Sequence, residues 1–475
     1  MVNALKESLV KWCSVNISDI VSRGKRLEAS VFDVEAKHAH EQIMNHQYGY
    51  TLLGGDNGLI DKAYYPGRFK RIYSDRQHGT GFYLPSQINE IYPKAEKYIS
   101  KLTKCNINEL RLNDNTLLLT RSGTIGAVSI VSRTLKGLIF SDDVIRVTFK
   151  NLIDVGYIYT FLKSKVGSLV LTTNGYGSVI THLEPEHLET IPIPNAPTAI
   201  KEKINNLICH SFKLRDESND LFDEATALLI DALKLPPIER FNTHTANDIE
   251  SFSIKLSAMN NRADASYHLP VVDRIIKHLC EHVDELSTVG DVRISKDIIL
   301  PGRFKRVYVD EDYGRVFIGG KQIGELDPVN KKYLSITQHG DRISKQLELH
   351  ENMILITCSG TIGKVALVGK HWENWAANQH IIRIVPASTD IAGFIYIFLA
   401  SEYGHALITR YTYGSVVDEI DDNHVNEIPI PILKDKEILK KINYLALLAS
   451  RKRYESYCLE QEALKIMNDE VIFAK

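Results

Sequence analysis

The chain has 475 residues, of which 44% are hydrophobic and 24% charged, with a formal net charge of −2. That length exceeds what one ordinary core serves, and the composition is that of a globular protein, so two or three domains are expected. The charge balance excludes a global basic field, leaving nucleic-acid contacts to be sought locally, and no apolar run approaches the roughly 20 residues of a bilayer-spanning helix, which predicts no membrane partner and a cytoplasmic protein.

In chain order, the first stretch, MVNALKESLVKWCSV, carries charges where a secretory signal needs an apolar core. HAHEQIMNH (38–46) holds His38, His40 and His46, but its counterpart later in the chain holds none, so it reads as a solvated helix face and not a metal site. The runs TLLLT, AVSIV and VIRVTF (116–149) are short, apolar and bounded by turn residues, which predicts strands. GYIYTFLKSKVGSLVL (156–171) predicts one short helix, closed by IPIP at 191–194. From about Thr198 to Lys234, Ile204, Leu207, Ile208, Phe212, Leu221, Phe222, Ala225, Leu228 and Leu229 recur at helical spacing on one face. About 36 residues at 1.5 Å each predict a rod of roughly 54 Å. The later half repeats the plan, with MILIT, GFIYIFLASEYGHALI, a second IPIP (428–431), and Ile438, Ile442, Leu445, Ala446, Leu448 and Leu459 at the equivalent helical places. Two such apolar stripes can bury each other. The six cysteines stand singly at 13, 105, 209, 280, 358 and 458, which argues against zinc and disulfides and suits a reducing compartment.

A shift of 235 to 238 residues aligns the two halves throughout. YPGRFKRIY (65–73) meets LPGRFKRVY (300–308), and TRSGTIGAVSIVS (120–132) meets TCSGTIGKVALVG (357–369). GYGSVI (175–180) meets TYGSVV (412–417), and KINNLICHSFKLRDESN (203–219) meets KINYLALLASRKRYESY (441–457). So many collinear matches establish an internal duplication.

Catalytic signatures are missing. The single Pro-Pro, Pro236-Pro237, lies in KLPPIER and makes no [NDS]-P-P-[YFW] amino-methyltransferase loop. No G-x-x-x-x-G-K-[ST] phosphate cradle occurs, and GTIGKV (360–365) has Ala127 in place of its Lys364 in the other copy. Glu35 and Lys37 form an E-x-K, without an acidic partner at sensible spacing and with Pro270 and Val272 near the equivalent place. No catalytic residue, no metal and no cofactor is therefore expected.

The glycines of Ser-Gly-Thr-Ile-Gly sit between two strand runs, where they permit a tight turn or bulge. The same turn can also lie at a nucleic-acid surface, with Ser122, Thr124, Ser359 and Thr361 donating to phosphates; the two readings are compatible. In a strand, GRFKR would set Arg68 and Lys70 on one face and Phe69 and Arg71 on the other. Arg303, Lys305 and Arg306 repeat that cluster around Phe304. Its reappearance brings DNA contact level with a merely solvated edge, and both readings stay open.

RLEAS (26–30) and RADAS (262–266) open the repeats, SGTIG follows in the middle, Tyr-Gly-Ser stands at Tyr176–Ser178 and Tyr413–Ser415, and IPIP leads into a long helix each time. This order, given twice over nearly the whole chain, resembles the DNA-specificity (S) subunit of Type I restriction-modification systems. The resemblance implies an α+β fold: two repeated mixed α/β target-recognition domains joined by a pair of long antiparallel helices. Residues 1–195 and 237–432 would be the recognition domains, and 196–236 and 433–475 the spacer helices. Each domain would read one half of a bipartite site in double-stranded DNA. The helices would set the gap and dock two methyltransferase subunits, and restriction nuclease-translocase subunits would complete the assembly. Alternatives are a recognition or adaptor subunit of a different phage-defence complex, or a duplicated scaffold that binds no DNA.

The recognition domains of one chain in this family usually differ substantially, whereas here the match extends through GRFKR. The shared Arg68, Lys70, Arg71, Arg303, Lys305 and Arg306, with Tyr176, Ser178, Tyr413 and Ser415, are then expected to be scaffold or phosphate contacts. Base readers are expected where the copies disagree: SDRQHGTG (74–81) against VDEDYGRV (309–316), and Arg121 and Lys321, which stand opposite Cys358 and Ser86.

Overall fold

The computed structural model describes residues 14–22, 32–122, 125–173, 182–241, 252–259 and 262–474. The chain divides into two compact units: Met1–Asp216 with Ser456–Lys475, and Glu217–Glu455.

In the first unit, strands β1 (Tyr50–Leu52), β2 (Ile60–Tyr64), β3 (Tyr73–Ser74), β4 (Gly79–Tyr83), β5 (Lys97–Ser100), β6 (Leu117–Thr120), β7 (Val128–Ile130), β8 (Ile139–Phe140), β9 (Val144–Phe149) and β10 (Pro192–Pro194) follow in order. They build an antiparallel sheet β2-β9-β6-β7, a second sheet β3-β5-β4-β8 closed by one parallel pair, and the short pair β1-β10. The run Leu117–Leu119 lacks alternation because both faces of β6 are covered. Leu117 and Leu119 pack with Tyr157 and Ile158 of the helical layer, whereas Leu118 packs with Ile88 and Phe140 on the other side.

The second unit repeats this with β11 (Glu285–Thr288), β12 (Ser295–Ile299), β13 (Tyr308–Val309), β14 (Gly314–Ile318), β15 (Lys332–Ser335), β16 (Ile354–Thr357), β17 (Val365–Leu367), β18 (Ala376–Ala377), β19 (Ile381–Pro386) and β20 (Pro429–Ile432). Its sheets run β12-β19-β16-β17, β13-β15-β14-β18 and β11-β20, the first plan strand for strand. A register irregularity recurs too, at Ile60/Lys62 and at Ser295/Asp297.

The single helix expected over 156–171 is two, Ile153–Lys163 and Lys165–Thr173, and the second copy breaks alike into Thr389–Ala400 and Glu402–Thr409. A serine explains each break: the Gly167 amide donates to Ser164 Oγ at 3.1 Å, and Gly404 to Ser401 Oγ at 3.1 Å, capping a new helix start. No single helix among the described residues is long and apolar enough to cross a membrane.

The two long helices are Thr198–Ala232 and Lys436–Ile466. Each meets a helix of its own unit through one asparagine: Gly156 N donates to Asn205 Oδ1 at 3.0 Å, and Gly393 N to Asn443 Oδ1 at 2.7 Å. In the first unit Ile204, Ile208 and Phe212 share a core with Ala463, Ile466, Met467, Val471 and Ile472. In the second, Lys452 bonds Glu217 (2.6 Å) and Lys441 meets Glu224 (3.4 Å), so one helix ascends as the other descends. The fold is thus α+β, two repeated mixed units joined by a pair of long antiparallel helices.

Candidate nucleic-acid interface

GRFKR does not lie in a strand. Residues 67–71 and 302–306 are extended loops, entering β3 and β13 without ladder partners. The extended backbone nonetheless keeps the expected alternation, with Arg68, Lys70, Arg303 and Lys305 exposed and Phe69, Arg71, Phe304 and Arg306 half-buried. Each phenylalanine anchors its loop edge-to-face on a sheet residue, Phe69 on Phe82 (6.4 Å) and Phe304 on Phe317 (6.3 Å). The second arginine of each loop lies against the same ring, Arg71 at 5.4 Å from Phe82 and Arg306 at 5.7 Å from Phe317. Arg71 also pairs with Asp142, and Arg306 donates to Gln379 Oε1 at 2.5 Å.

The second SGTIG is the hairpin loop β16–β17, and Ser122, Ile125 and Gly126 of the first lie between β6 and β7. Gly126, Gly360 and Gly363 have φ of +96°, +78° and +83°, which glycine alone adopts freely. In the second unit this loop meets the YGS loop: Gly360 N donates to Asp418 O at 2.9 Å, and Ser359 bridges Glu419. Tyr413 and Glu419 exchange backbone bonds of 2.9 and 2.7 Å, and Arg303 meets the Glu419 carboxylate at 3.3 Å. Arg303, Ser359 and Tyr413 therefore converge on Glu419, with Thr361 and Ser415 exposed beside them. In the first unit Thr124, Tyr176 and Ser178 lie outside the described residues. Arg68, Arg71 and Ser122 line one open cleft with Ser141, Asp142 and Asp143.

Of the residues expected to read bases, Lys321 is exposed on the turn Gly320–Gln322, and the segments 74–81 and 309–316 run from the ends of β3 and β13 through exposed turns at 75–78 and 310–313 into β4 and β14. Arg121 is different. It is buried, pairs with Glu184 and with Asp143 (3.3 Å), and lies 4.4 Å from the Tyr65 ring. Burial opposes its charge, but Glu184, Tyr65 and Asp143 outweigh that and hold the guanidinium above its ordinary value. With its fork so occupied, Arg121 is a bracing residue here and is left out of the interface.

Three features escaped sequence reasoning. Lys97 sits 5.3 Å over Tyr73, and Lys332 sits 5.3 Å over Tyr308, so each unit carries an exposed cation on an exposed ring next to its GRFKR loop. Tyr73 and Tyr308 close the matched YPGRFKRIY and LPGRFKRVY, and Lys97 and Lys332 stand at the same shift of 235, which was the available signal. Arg146 and Arg383, central in β9 and β19, are wholly buried, and burial brings each down to about 10. Arg146 donates to the carbonyls of Leu110 (3.1 Å), Phe140 (3.0 Å) and Val144 (2.7 Å), and Arg383 to those of Ala377 and Asn378. They fix the turns 141–143 and 378–380 that face the cationic loops. Those turns, Ser-Asp-Asp in one unit and Asn-Gln-His in the other, are the third feature.

A family profile described as the Type I restriction modification DNA specificity domain matches residues 309–453. No curated protein matches the chain. Among solved structures, the S subunit of a Type I restriction-modification system from M. genitalium is 12% identical, with 88% of this chain and 97% of that one covered at a TM-score of 0.30. The HsdS subunit from Thermoanaerobacter tengcongensis is 11% identical, with 88% and 98% covered at 0.27. A chain from a structure of type I R-M complex assembly and conformational transition is 12% identical, with 86% and 97% covered at 0.28. Such TM-scores carry no argument, and the likeness that stands is that of the matched domain. Residues 309–453, within the second unit, are thus similar to the Type I restriction modification DNA specificity domain.

Proposed function

We infer that this chain is the sequence-specific DNA-binding subunit of a Type I restriction-modification complex, with each unit reading one half of a bipartite duplex site. The observation that carries this reading is the twofold recurrence of one surface: a cationic loop pinned by phenylalanine, a lysine lying on a tyrosine, and a glycine hairpin loop beside them. Arginine, lysine, hydroxyl and backbone N–H groups are the usual phosphate contacts, and they position a protein without reading sequence. Such contacts are what two readers of unlike half-sites would share. Arg68, Lys70, Arg71, Arg303, Lys305, Arg306, Ser122, Ser359, Thr361, Tyr413 and Ser415 are proposed for this role. The chain would act without catalysis of its own, its long helices docking two methyltransferase subunits that restriction nuclease-translocase subunits join. Selection of duplexes from a randomised-sequence library by the full chain tests the reading: a bipartite motif supports it, and recovery of unselected sequence rejects it in favour of a scaffold.

A further inference from the structure

Within surfaces that otherwise correspond, one local exchange involves several residues at once. Asp143, at the end of the turn into β9, accepts from Arg121 at 3.3 Å and from Ser122. At the equivalent places the second unit has His380 and Cys358, the latter a buried thiol 3.7 Å from the Gln379 carbonyl. An anion braced by a cation is replaced by two neutral groups, and Asp142 beside them gives way to Gln379, so the turn loses its carboxylates and its hydrogen-bonding character changes. His380 stays neutral because burial and the nearby Arg306 and Arg303 charges hold its pKa below the ordinary histidine value.

We propose that Asp143 and His380 are base-reading residues of the first and second unit, a proposal that rests on the DNA-specificity reading above. Asp143 remains 27% exposed in its side chain, beside the cleft that Arg68, Arg71 and Ser122 line. Its two oxygens offer about four acceptor sites, and the bonds from Arg121 and Ser122 occupy one on each oxygen. The others suit an exocyclic amino group in the major groove, cytosine N4 above all. His380 presents the opposite polarity. Arg306 donates to Gln379 Oε1, which turns the Gln379 amide nitrogen toward His380 Nε2 at 3.1 Å. Nε2 is then the acceptor and Nδ1 carries the proton, a donor suited to guanine O6 or N7. Arg146 and Arg383, bonded to carbonyls around each turn, give the two readers equivalent positions on equivalent supports.

The test is selection from the same randomised duplex library, with sequencing of what is retained. His380→Ala is expected to lose about 5- to 150-fold discrimination at one base position of one half-site, with the other half-site unchanged. Cys358→Arg/His380→Asp, which transplants the first unit's pair, is expected to move that position from guanine toward cytosine. Asp143→Asn must alter the other half-site, and it keeps the proposal open to refutation if the double variant fails to fold. Unchanged preference in both half-sites for His380→Ala and Asp143→Asn would overturn the proposal while wild type still selects its motif. No motif for wild type either would overturn the DNA reading and this proposal with it.

Discussion

Glu460 offers the sharpest test of how the first unit is held. Its carboxylate is buried in the second long helix and is shared between Lys163 and Arg215. Burial alone would raise its pKa, but the two cations outweigh burial and bring it down to about 2. Glu460→Gln keeps the shape and removes the charge between two cations that are themselves only 11% and 13% exposed. Breaking a buried pair in this way costs on the order of 3 kcal/mol or more. For a unit of this size, roughly 2–4 °C per kcal/mol translates that into a fall of about 6–12 °C in Tm. The second unit supplies the control, because Ala400 and Phe222 stand where Lys163 and Glu460 do, and Phe222 packs 5.7 Å from Tyr396. Lys163→Ala/Glu460→Phe, which copies that apolar solution beside Tyr159, is expected to recover most of the loss. The pH dependence has a definite sign. A carboxylate with a depressed folded pKa contributes stability above its unfolded value of about 4.3, lost as pH falls toward 2. That acid limb should be absent from Glu460→Gln. Calorimetry across that range reads all three effects. A Tm within about 2 °C of wild type for Glu460→Gln, or a double variant no better than the single, would refute the reasoning.

Arg68→Ala and Arg303→Ala are each expected to weaken binding to all duplexes alike and to lower the salt slope by about one unit, read by titration at several salt concentrations. A changed motif with an unaltered slope would contradict a phosphate role. Gly156→Ala puts a Cβ 2.6 Å from Asn205 Oδ1 and 2.9 Å from its Cα, and should cost about 1–3 kcal/mol in denaturant unfolding. Gly67→Ala, with nothing within 4 Å, should stay within about 0.5 kcal/mol of wild type. If the long helices set the gap between half-sites, four residues added to both, after Asp216 and after Glu455, keep the apolar stripe and should lengthen the gap by about two base pairs. Two residues would rotate the stripe by roughly 200° and should disrupt the helix pair. An unchanged gap in a four-residue variant that still binds would dissociate the helices from spacing.

Periodicity and repetition made the duplication, the strand runs and the paired helices legible, because those features are local or recur at a fixed offset. The helix break at Ser164 and Ser401 was missed because an apolar run over 156–171 hides a cap that depends on one hydroxyl. The loop state of GRFKR was missed because alternation does not require ladder bonds, and Phe69 and Phe304 impose it through ring packing alone. Arg121 looked like a reader because it differs from Cys358; its partners Glu184 and Asp143 are remote in sequence and appear only on folding. Arg146 and Arg383 passed unnoticed inside VIRVTF and IIRIVP, since nothing local reveals that a strand arginine will spend its donors on carbonyls.

The division of the chain also carries a consequence for its biosynthesis. The first unit needs residues from Ser456 onward: Ala463, Ile466, Met467, Val471 and Ile472 share its core, Gln42 donates to Ile472 O at 2.9 Å, and His46 bonds Val471 O at 2.5 Å. On the ribosome those residues emerge only after Glu217–Glu455 has been made. At roughly 5–20 residues per second, the earlier-born unit waits about 10–50 s with that flank of its core unfilled. Nascent chains stalled before Ser456 should therefore expose Ile43, Ile204 and Ile208 to chaperones and proteases, and gain protection abruptly once Ala463, Ile466, Met467, Val471 and Ile472 have emerged.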